Sequence, residues 1–221
     1  MAGRGARLPR PPATAYTSAM DLNLVQIVAA AVIPVLFAIT LHEVAHGWVA
    51  RFFGDDTAFV MGRLSLNPIR HVDPVGTVAL PAGLLILGYM TGSLIPIFGW
   101  AKPVPVHFGN LRRPKQDMIW VALAGPGANL AMALVWAVVA GAGGALFPAG
   151  SMAFAFLVAM GVIGIYINLI LMILNLLPLP PLDGGRVAVG LLPQTPSRWV
   201  SHLEPFGLPI LLILLFTGVL G

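Results

Sequence analysis

An uncharged and mainly apolar run extends from Leu22 to Leu41 and leads directly into the pentapeptide HEVAH at residues 42–46. About 20 such residues are enough to cross the hydrocarbon core of a bilayer as a helix. We therefore predict a first membrane helix over residues 22–53. Ionisable side chains inside a membrane helix are energetically costly and usually mark a functional site, so this pentapeptide is where chemistry is expected.

The HEVAH pentapeptide has the H-E-x-x-H pattern of a zinc-binding helix. Positions i and i+4 share one face of a helix, so His42 and His46 present their imidazoles to a single point. Glu43 lies close enough to reach a metal-bound water, where a metalloprotease has its general base. The alternative is a chance match, because a helical histidine is often only a packed or surface residue, but the apolar surroundings favour the metal.

The composition indicates an integral membrane protein. Hydrophobic residues make up 58% of the 221 residues and charged residues only 9%, whereas soluble domains carry about 25% charged residues. We predict an all-α polytopic fold with four to six transmembrane helices, forming one domain over residues 21–221. Residues 1–20, which contain three arginines and three prolines, are predicted to be a disordered arm.

Cysteine and charge counts limit the possible ligands and partners. The absence of cysteine excludes disulfides and leaves His, Asp, Glu or Asn as metal ligands. The net charge of +4 could indicate nucleic-acid binding, but we interpret the twelve Lys and Arg residues as loop charges that orient the chain. We therefore expect the lipid bilayer, and no nucleic acid, as a partner.

Further elements follow from apolar runs and breaker residues. Helices are predicted at residues 117–139, 151–177, 186–192 and 205–221. Residues 57–66 are too short to span, and their alternating, β-branched side chains predict a strand pair in a small membrane-surface β-sheet. The prolines of residues 99–106 predict another extended piece. Residues 75–98 are apolar but interrupted by Gly and Pro, so they either span once or form a re-entrant hairpin.

A catalytic zinc commonly has three protein ligands and one open position for water. Asp183 is the best candidate for the third ligand, because the prolines at positions 178, 180 and 181 block a helix and fix an extended approach. Gly184 and Gly185 allow backbone conformations and close contacts that other residues forbid. The alternative is an ordinary Pro/Gly loop with an Asp turn, but the combination with HEVAH favours a ligand.

Two asparagines, Asn129 and Asn175, lie within strongly apolar helices, where a buried amide needs hydrogen-bond partners. Each either bonds to a neighbouring helix or lies near the metal, where it holds the substrate carbonyl or stabilises its oxyanion. Asn175 is the stronger candidate because it lies eight residues before Asp183.

The remaining histidines and three tryptophans have simpler interpretations. The histidines lie in polar loops, so they are predicted to be surface residues and not ligands: His71, His107 and His202. The tryptophans are predicted to anchor the chain at the membrane interface: Trp100, Trp120 and Trp199.

Three segments together resemble the signatures of the site-2 protease family of intramembrane zinc metalloproteases. They are HEVAH (42–46), GPGAN (125–129) and NLLPLPPLDGG (175–185), in the order that the family has them. Residues 62–77 (GRLSLNPIRHVDPVGT) and 98–106 (FGWAKPVPV) resemble the short prokaryotic branch, which has no PDZ or CBS domains. One departure is Gly127, because the family often has a larger apolar residue there, and this affects the expected local packing.

The resemblance implies a complete set of site residues. It implies that His42, His46 and Asp183 bind one Zn²⁺ and that Glu43 is the catalytic base. It implies that Asn175 and Asn129 assist around the substrate. The implied activity is hydrolysis of peptide bonds in or near transmembrane segments, in a membrane-protein substrate that has a single transmembrane helix.

Charge provides an independent view of the topology. If residues 75–98 return to the side they left, HEVAH, GPGAN and Asp183 meet at one depth, so we favour the re-entrant interpretation. Nine cationic residues then face one side: Arg51, Arg63, Arg70, Lys102, Arg112, Arg113, Lys115, Arg186 and Arg198. Because positive charge favours the cytoplasmic side, we expect a multi-pass protein of a prokaryotic cell membrane, with its site nearer the cytoplasm.

Two other functions stay open. A zinc transporter or channel would also have His and Asp in helices, but it predicts further ligands along a path. An inactive relative that binds membrane partners is also conceivable, although the intact Glu43 argues against it. For a protease, we expect a locally unwound substrate to pair with the predicted strand at 57–66.

Overall fold

The structure, a computed structural model, describes residues 22–92 and 99–217. Its regular elements are helical, and no β-strand occurs within those residues. The α-helices are, in chain order, α1 (Leu24–Phe52), α2 (Thr57–Val60), α3 (Leu80–Thr91), α4 (Pro114–Leu146), α5 (Met152–Asn175), α6 (Asp183–Leu191), α7 (Gln194–His202) and α8 (Glu204–Phe216). A π-helical turn, Pro74–Ala79, leads directly into α3.

Four helical segments are long and apolar enough to cross a membrane: Val25–Phe52, Pro74–Thr91, Pro114–Leu146 and Met152–Asn175. A helix satisfies its backbone hydrogen bonds internally, which is what the interior of a bilayer requires. The predicted all-α architecture is therefore confirmed, and the described residues contain four candidate membrane spans. The last described helix, α8, has 13 residues, fewer than the ~20 that a span needs.

The predicted strand pair at residues 57–66 is wrong. Thr57–Val60 form the single-turn helix α2, and residues 61–66 contain no strand. The carboxylate of Asp55 accepts hydrogen bonds from the backbone N–H and the hydroxyl of Thr57, which hold the start of this turn. Gly62 then has a positive φ of 64°, a conformation that glycine adopts easily. Local side-chain hydrogen bonding therefore overrides the alternating pattern.

The segment 75–98 lies partly outside the described residues, because residues 93–98 are not described. Its described part belongs to the candidate span Pro74–Thr91. At Trp100, the backbone N–H donates to the carbonyl oxygen of Gly76 at 3.1 Å. The chain is thus back beside the start of this helical segment by residue 100. A return of this kind agrees with the re-entrant interpretation, which stays a prediction.

Residues 101–107 are non-helical, as their prolines predict, and we call them the 101–107 segment. The backbone N–H of Lys102 donates to the carbonyl oxygen of His71 at 2.9 Å. The Arg63 guanidinium donates to the carbonyl oxygens of Lys102 and Pro103 at 3.1 and 3.2 Å. These bonds fix the 101–107 segment, which also contacts Glu43 through the backbone N–H of Val104.

The chain divides into two compact units, and the expectation of a single domain over residues 21–221 stays a prediction. The described part of unit 1 consists of residues 22–35 and 132–167. In this unit, a Cβ added at Gly164 of α5 would come within 2.3 Å of the Trp136 ring of α4. The two helices approach closely at this glycine, as small residues allow in membrane proteins.

Unit 2 covers residues 36–131 and 168–217 where they are described. One part of its core joins Ala50 of α1 to Leu111 and to Val121 of α4, all of which are buried. Unit 2 includes the second half of α1, the first half of α4, the end of α5 and all of α6. Every predicted site residue therefore belongs to this one unit.

Asp55 is completely buried just beyond the end of α1. Besides the two groups of Thr57, its carboxylate accepts the His107 backbone N–H at 2.7 Å and the Asn110 side-chain N–H at 3.0 Å. Burial by itself would raise the pKa of this carboxyl, but the hydrogen bonds to the ionised form outweigh burial and lower its pKa. Asp55 thus links α1 to the loop that precedes α4.

We predict that Asp55→Asn lowers the free energy of unfolding by about 2–4 kcal/mol at neutral pH, because an amide cannot accept all of these hydrogen bonds. The lowered pKa sets the sign of the pH dependence. The contribution of Asp55 is fully present above about pH 4, its ordinary pKa, and is lost as the pH falls through the lower folded-state pKa. Denaturant unfolding of both proteins in detergent tests this, and a stability difference that persists in acid contradicts it.

Candidate metal centre

The side chains of His42 and His46 meet on one face of α1, as their four-residue spacing predicts. Their Nε2 atoms are 3.1 Å apart, and the rings lie edge to face with centroids 4.7 Å apart. His42 is buried and His46 is partly buried. Both imidazoles therefore face the same protected point.

Asp183 is the first residue of α6 and brings a carboxylate to that point. Its Oδ2 atom lies 3.3 Å from Nε2 of His42 and 3.3 Å from Nε2 of His46. Burial by itself would raise the pKa of the Asp183 carboxyl, but without a metal the two imidazoles, when protonated at Nε2, outweigh burial and lower it to about 2. The carboxyl is therefore in the ionised form that binds a metal.

The two glycines after Asp183 make its position possible. An added Cβ at Gly184 would lie 2.3 Å from the carbonyl oxygen of Leu176, and one at Gly185 would lie 2.3 Å from the nitrogen of Pro180. Real Cβ atoms do not approach other atoms so closely. The prediction that both glycines permit close contacts is therefore confirmed.

The distances among the three ligand atoms fit a tetrahedral zinc site. With bonds of about 2.0–2.1 Å, neighbouring ligands of a tetrahedral zinc ion are about 3.3–3.4 Å apart, close to the 3.1 and 3.3 Å found here. Oδ2 of Asp183 is buried and has no hydrogen-bond partner among the described residues, a costly state that a bound cation relieves. Two imidazoles and a carboxylate are a donor set that suits catalytic zinc.

The outer ring nitrogens of both histidines are held by oxygen acceptors on α4. His46 Nδ1 lies 2.7 Å from the carbonyl oxygen of Val121, and His42 Nδ1 lies 2.5 Å from Oδ1 of Asn129. A carbonyl oxygen only accepts hydrogen bonds, so each neutral imidazole carries its proton on Nδ1, and its Nε2 then has the lone pair that a metal ion binds. Helix α4 therefore selects the tautomer that a metal ion requires.

Asn129 is fully buried, and its amide is fixed on both sides. Its Nδ2 donates to Oδ1 of Asn168 at 2.9 Å and lies 3.4 Å from the carbonyl oxygen of Ala38, which leaves its Oδ1 to accept from His42. Asn129 thus lies behind a metal ligand. Sequence reasoning did not single out Asn168, although this buried residue of α5 carries the same signal, an amide within an apolar helix.

Gly125, the first glycine of GPGAN, lies directly against the two metal-facing nitrogens. An added Cβ would be 2.4 Å from Nε2 of His46 and 2.7 Å from Nε2 of His42. At Gly127, in contrast, an added Cβ would meet nothing within 4 Å. The imidazoles therefore require glycine at 125, whereas position 127 has room for the larger residue that was expected there.

A cavity of about 210 Å³ opens onto the three ligands and Glu43. The 101–107 segment forms part of its wall, and Oε2 of Glu43 accepts the backbone N–H of Val104 at 2.7 Å. Val104 stands between Pro103 and Pro105, which have no N–H, so it supplies the sole backbone donor of this tripeptide. That donor holds the carboxylate beside the predicted metal.

Asn175, at the end of α5, also lines this cavity. Its Nδ2 donates to the carbonyl oxygen of Leu171 at 2.9 Å. An amide nitrogen has two hydrogens, and the second is not used by this bond. The structure thus brings Asn175 to the open side of the site and Asn129 to the far side of His42.

Among the other histidines, His107 and His202 are exposed, as predicted. The prediction that His71 is a surface residue is wrong, because His71 is completely buried. Its Nε2 donates to the carbonyl oxygen of Ser65 at 2.7 Å, and this bond satisfies the buried ring nitrogen. In the described part of the chain, the group that could hold a metal contains none of these three histidines. The tryptophans expected at the interface are exposed: Trp100, Trp120 and Trp199.

Comparison with known proteins points to one family. The model for Peptidase family M50 matches residues 143–217. The "Putative zinc metalloprotease YwhC" of Bacillus subtilis is 37% identical over 191 residues, which are 84% of this chain and 80% of YwhC. The "Putative zinc metalloprotease Rip2" of Mycolicibacterium smegmatis is 32% identical over 188 residues, 84% of this chain and 66% of Rip2. No solved structure matches the chain.

We predict that Gly125→Ala removes most of the bound zinc, because the new Cβ occupies the space beside both Nε2 atoms. Gly127→Ala is the matched control, since it adds the same methyl group to the same helix in open space. Metal analysis of the two purified proteins measures the difference. Equal zinc content in both variants would show that Gly125 does not set the ligand geometry.

We also predict that Asn129→Leu weakens zinc binding by about 10- to 100-fold, the usual effect of losing a partner that orients a ligand. Asn168→Leu should weaken zinc binding by a smaller factor, because Asn129 remains and loses only one of its contacts. Competition with a chelator gives both affinities. Unchanged affinity in Asn129→Leu contradicts the role of the His42 contact.

Proposed function

We propose that this chain, which belongs to peptidase family M50, hydrolyses peptide bonds in or near the transmembrane segments of membrane-protein substrates. The family makes it an enzyme of the zinc metalloprotease class, and its four candidate spans make it a multi-pass membrane protein. The observation that carries the proposal is one cavity that contains a zinc-type ligand set together with the Glu43 carboxylate.

The residues of the cavity have different roles in hydrolysis. A bound zinc ion, held by His42, His46 and Asp183, would supply an acidified water and polarise the scissile carbonyl. Glu43 takes a proton from the water during attack and later passes it to the leaving amine. The Val104 N–H holds Oε2 of Glu43, which leaves Oε1 without that bond and open to the water.

The substrate must unwind locally before attack, because the carbonyl groups of a helix are used in its own hydrogen bonds. With no strand at 57–66, the 101–107 segment is the better candidate to contact an unwound stretch, since it lines the cavity beside Glu43. Asn175 offers its second amide hydrogen to the substrate carbonyl. Asn129 acts instead by positioning His42.

We place the site nearer the cytoplasmic side of a bacterial cell membrane. The relatives in Bacillus and Mycolicibacterium support the bacterial setting. The cationic loops after α1 and before α4 support the orientation, because Lys and Arg concentrate on the cytoplasmic side. We expect the substrate to be a membrane protein with a single transmembrane helix.

We predict that Glu43→Gln lowers the cleavage rate of a model single-span substrate by about 10²–10⁴-fold, the usual contribution of general acid–base catalysis. Zinc content should not change, because Glu43 is not a ligand. Purified protein in proteoliposomes, with zinc removed by a chelator and then restored, tests both statements. Wild-type rates in Glu43→Gln contradict the proposal, and zinc flux that persists in that variant indicates a transporter instead.

A further inference from the structure

Arg186 is a cation in the wall of the catalytic cavity. It lies three residues after Asp183 on α6, and positions i and i+3 share a helix face. Arg186 lines the cavity that contains the three ligands and Glu43, and it also lines a neighbouring cavity together with Phe108 and Glu204. Of the described residues that line it, Arg186 is the only one with a Lys or Arg side chain.

The Arg186 guanidinium is held in place without using its hydrogen-bond donors. Its Cζ lies 4.7 Å from the centroid of the Phe108 ring. Its Nη2 lies 3.9 Å from Oε1 of Glu204, in the first turn of α8, which is an ion pair but too long for a hydrogen bond. Within residues 22–92 and 99–217, no protein acceptor bonds to this side chain.

The Arg186 donors can add a charged contact to the stabilisation that a bound zinc ion and the Asn175 amide would give the substrate carbonyl. Attack by water creates a negative charge on the oxygen of the scissile carbonyl. Donors that are fixed in advance at such an oxygen are among the largest contributors to catalysis. The other ionisable groups of the cavity are either metal ligands or the base Glu43, and they cannot donate to this oxygen.

We propose that Arg186 is a catalytic residue that donates hydrogen bonds to the oxygen of the scissile carbonyl as this oxygen becomes negative. The inference rests on the proposed protease function. When the water oxygen bonds to the carbonyl carbon, the π electron pair moves onto the carbonyl oxygen and Glu43 receives the water proton. When the C–N bond breaks, that pair re-forms the C=O bond, and the amine nitrogen takes the proton from Glu43. Arg186 stays protonated throughout.

A purely structural role makes a different prediction. If Arg186 served only to join α6 to α8 through its ion pair, then removing either partner would have the same effect. Glu204 is half-exposed and does not line the catalytic cavity. Glu204→Gln therefore breaks the ion pair and leaves the guanidinium free to meet the substrate.

The test compares Arg186→Gln, Arg186→Lys and Glu204→Gln as full-length, zinc-loaded proteins acting on a model single-span substrate. Arg186→Gln should lower kcat by about 10²–10³-fold, the effect of losing one oxyanion donor, with little change in KM. Arg186→Lys should recover part of kcat because it keeps the charge, and Glu204→Gln should lower kcat far less than Arg186→Gln because it keeps the guanidinium and its contact with Phe108. Zinc content and thermal unfolding should be the same in all variants.

A second measurement does not depend on turnover. A phosphinic peptide built on the mapped cleavage sequence carries the tetrahedral, negatively charged group, and Arg186→Gln should bind it about 10²-fold or more weakly. A wild-type kcat in Arg186→Gln, or equal losses in Arg186→Gln and Glu204→Gln, overturns the inference while wild-type cleavage still supports the protease. If the zinc-loaded wild-type protein cleaves no single-span substrate, the proposed function fails, and this inference fails with it.

Discussion

Ionisable groups buried among apolar helices need partners, and this constraint organises unit 2. Two imidazoles and one carboxylate converge with their ligand atoms 3.1 and 3.3 Å apart. The buried Oδ2 of Asp183 has no hydrogen-bond partner among the described residues, and a cation held by the three side chains would provide one. The need for that cation explains why polar residues persist in helices that composition would otherwise keep apolar.

Backbone atoms and glycine residues position many of the side chains of the site. The carbonyl oxygen of Val121 sets the tautomer of His46, and the N–H of Val104 holds Glu43. Glycines at 125 and 184 let helix and loop approach to distances that a Cβ would prevent. Backbone groups cannot change rotamer, so they hold catalytic side chains more rigidly than flexible side-chain partners do.

Features that depend on residues close together in the sequence could be predicted, and features that depend on distant residues could not. The histidine pair and Glu43 follow from helical spacing alone, and Asp183 is indicated by the three prolines just before it and the two glycines directly after it. The prediction of a strand at 57–66 was wrong because Asp55 holds the first turn of a helix there. Asp55 is in turn held by His107 and Asn110. Those partners lie about fifty residues away, beyond the reach of any local pattern.

Composition and spacing specify a polytopic helical membrane protein, a histidine pair on one helix, and the absence of thiol ligands. They do so because helix periodicity and transfer into lipid act on neighbouring residues. The contact of Asp183 with both histidines, the burial of His71, the pairing of Asn129 with Asn168, and the place of Arg186 in the cavity wall emerge only when separate helices and loops pack. Each is a contact between segments far apart in the chain, and its geometry is set by the packing that surrounds it.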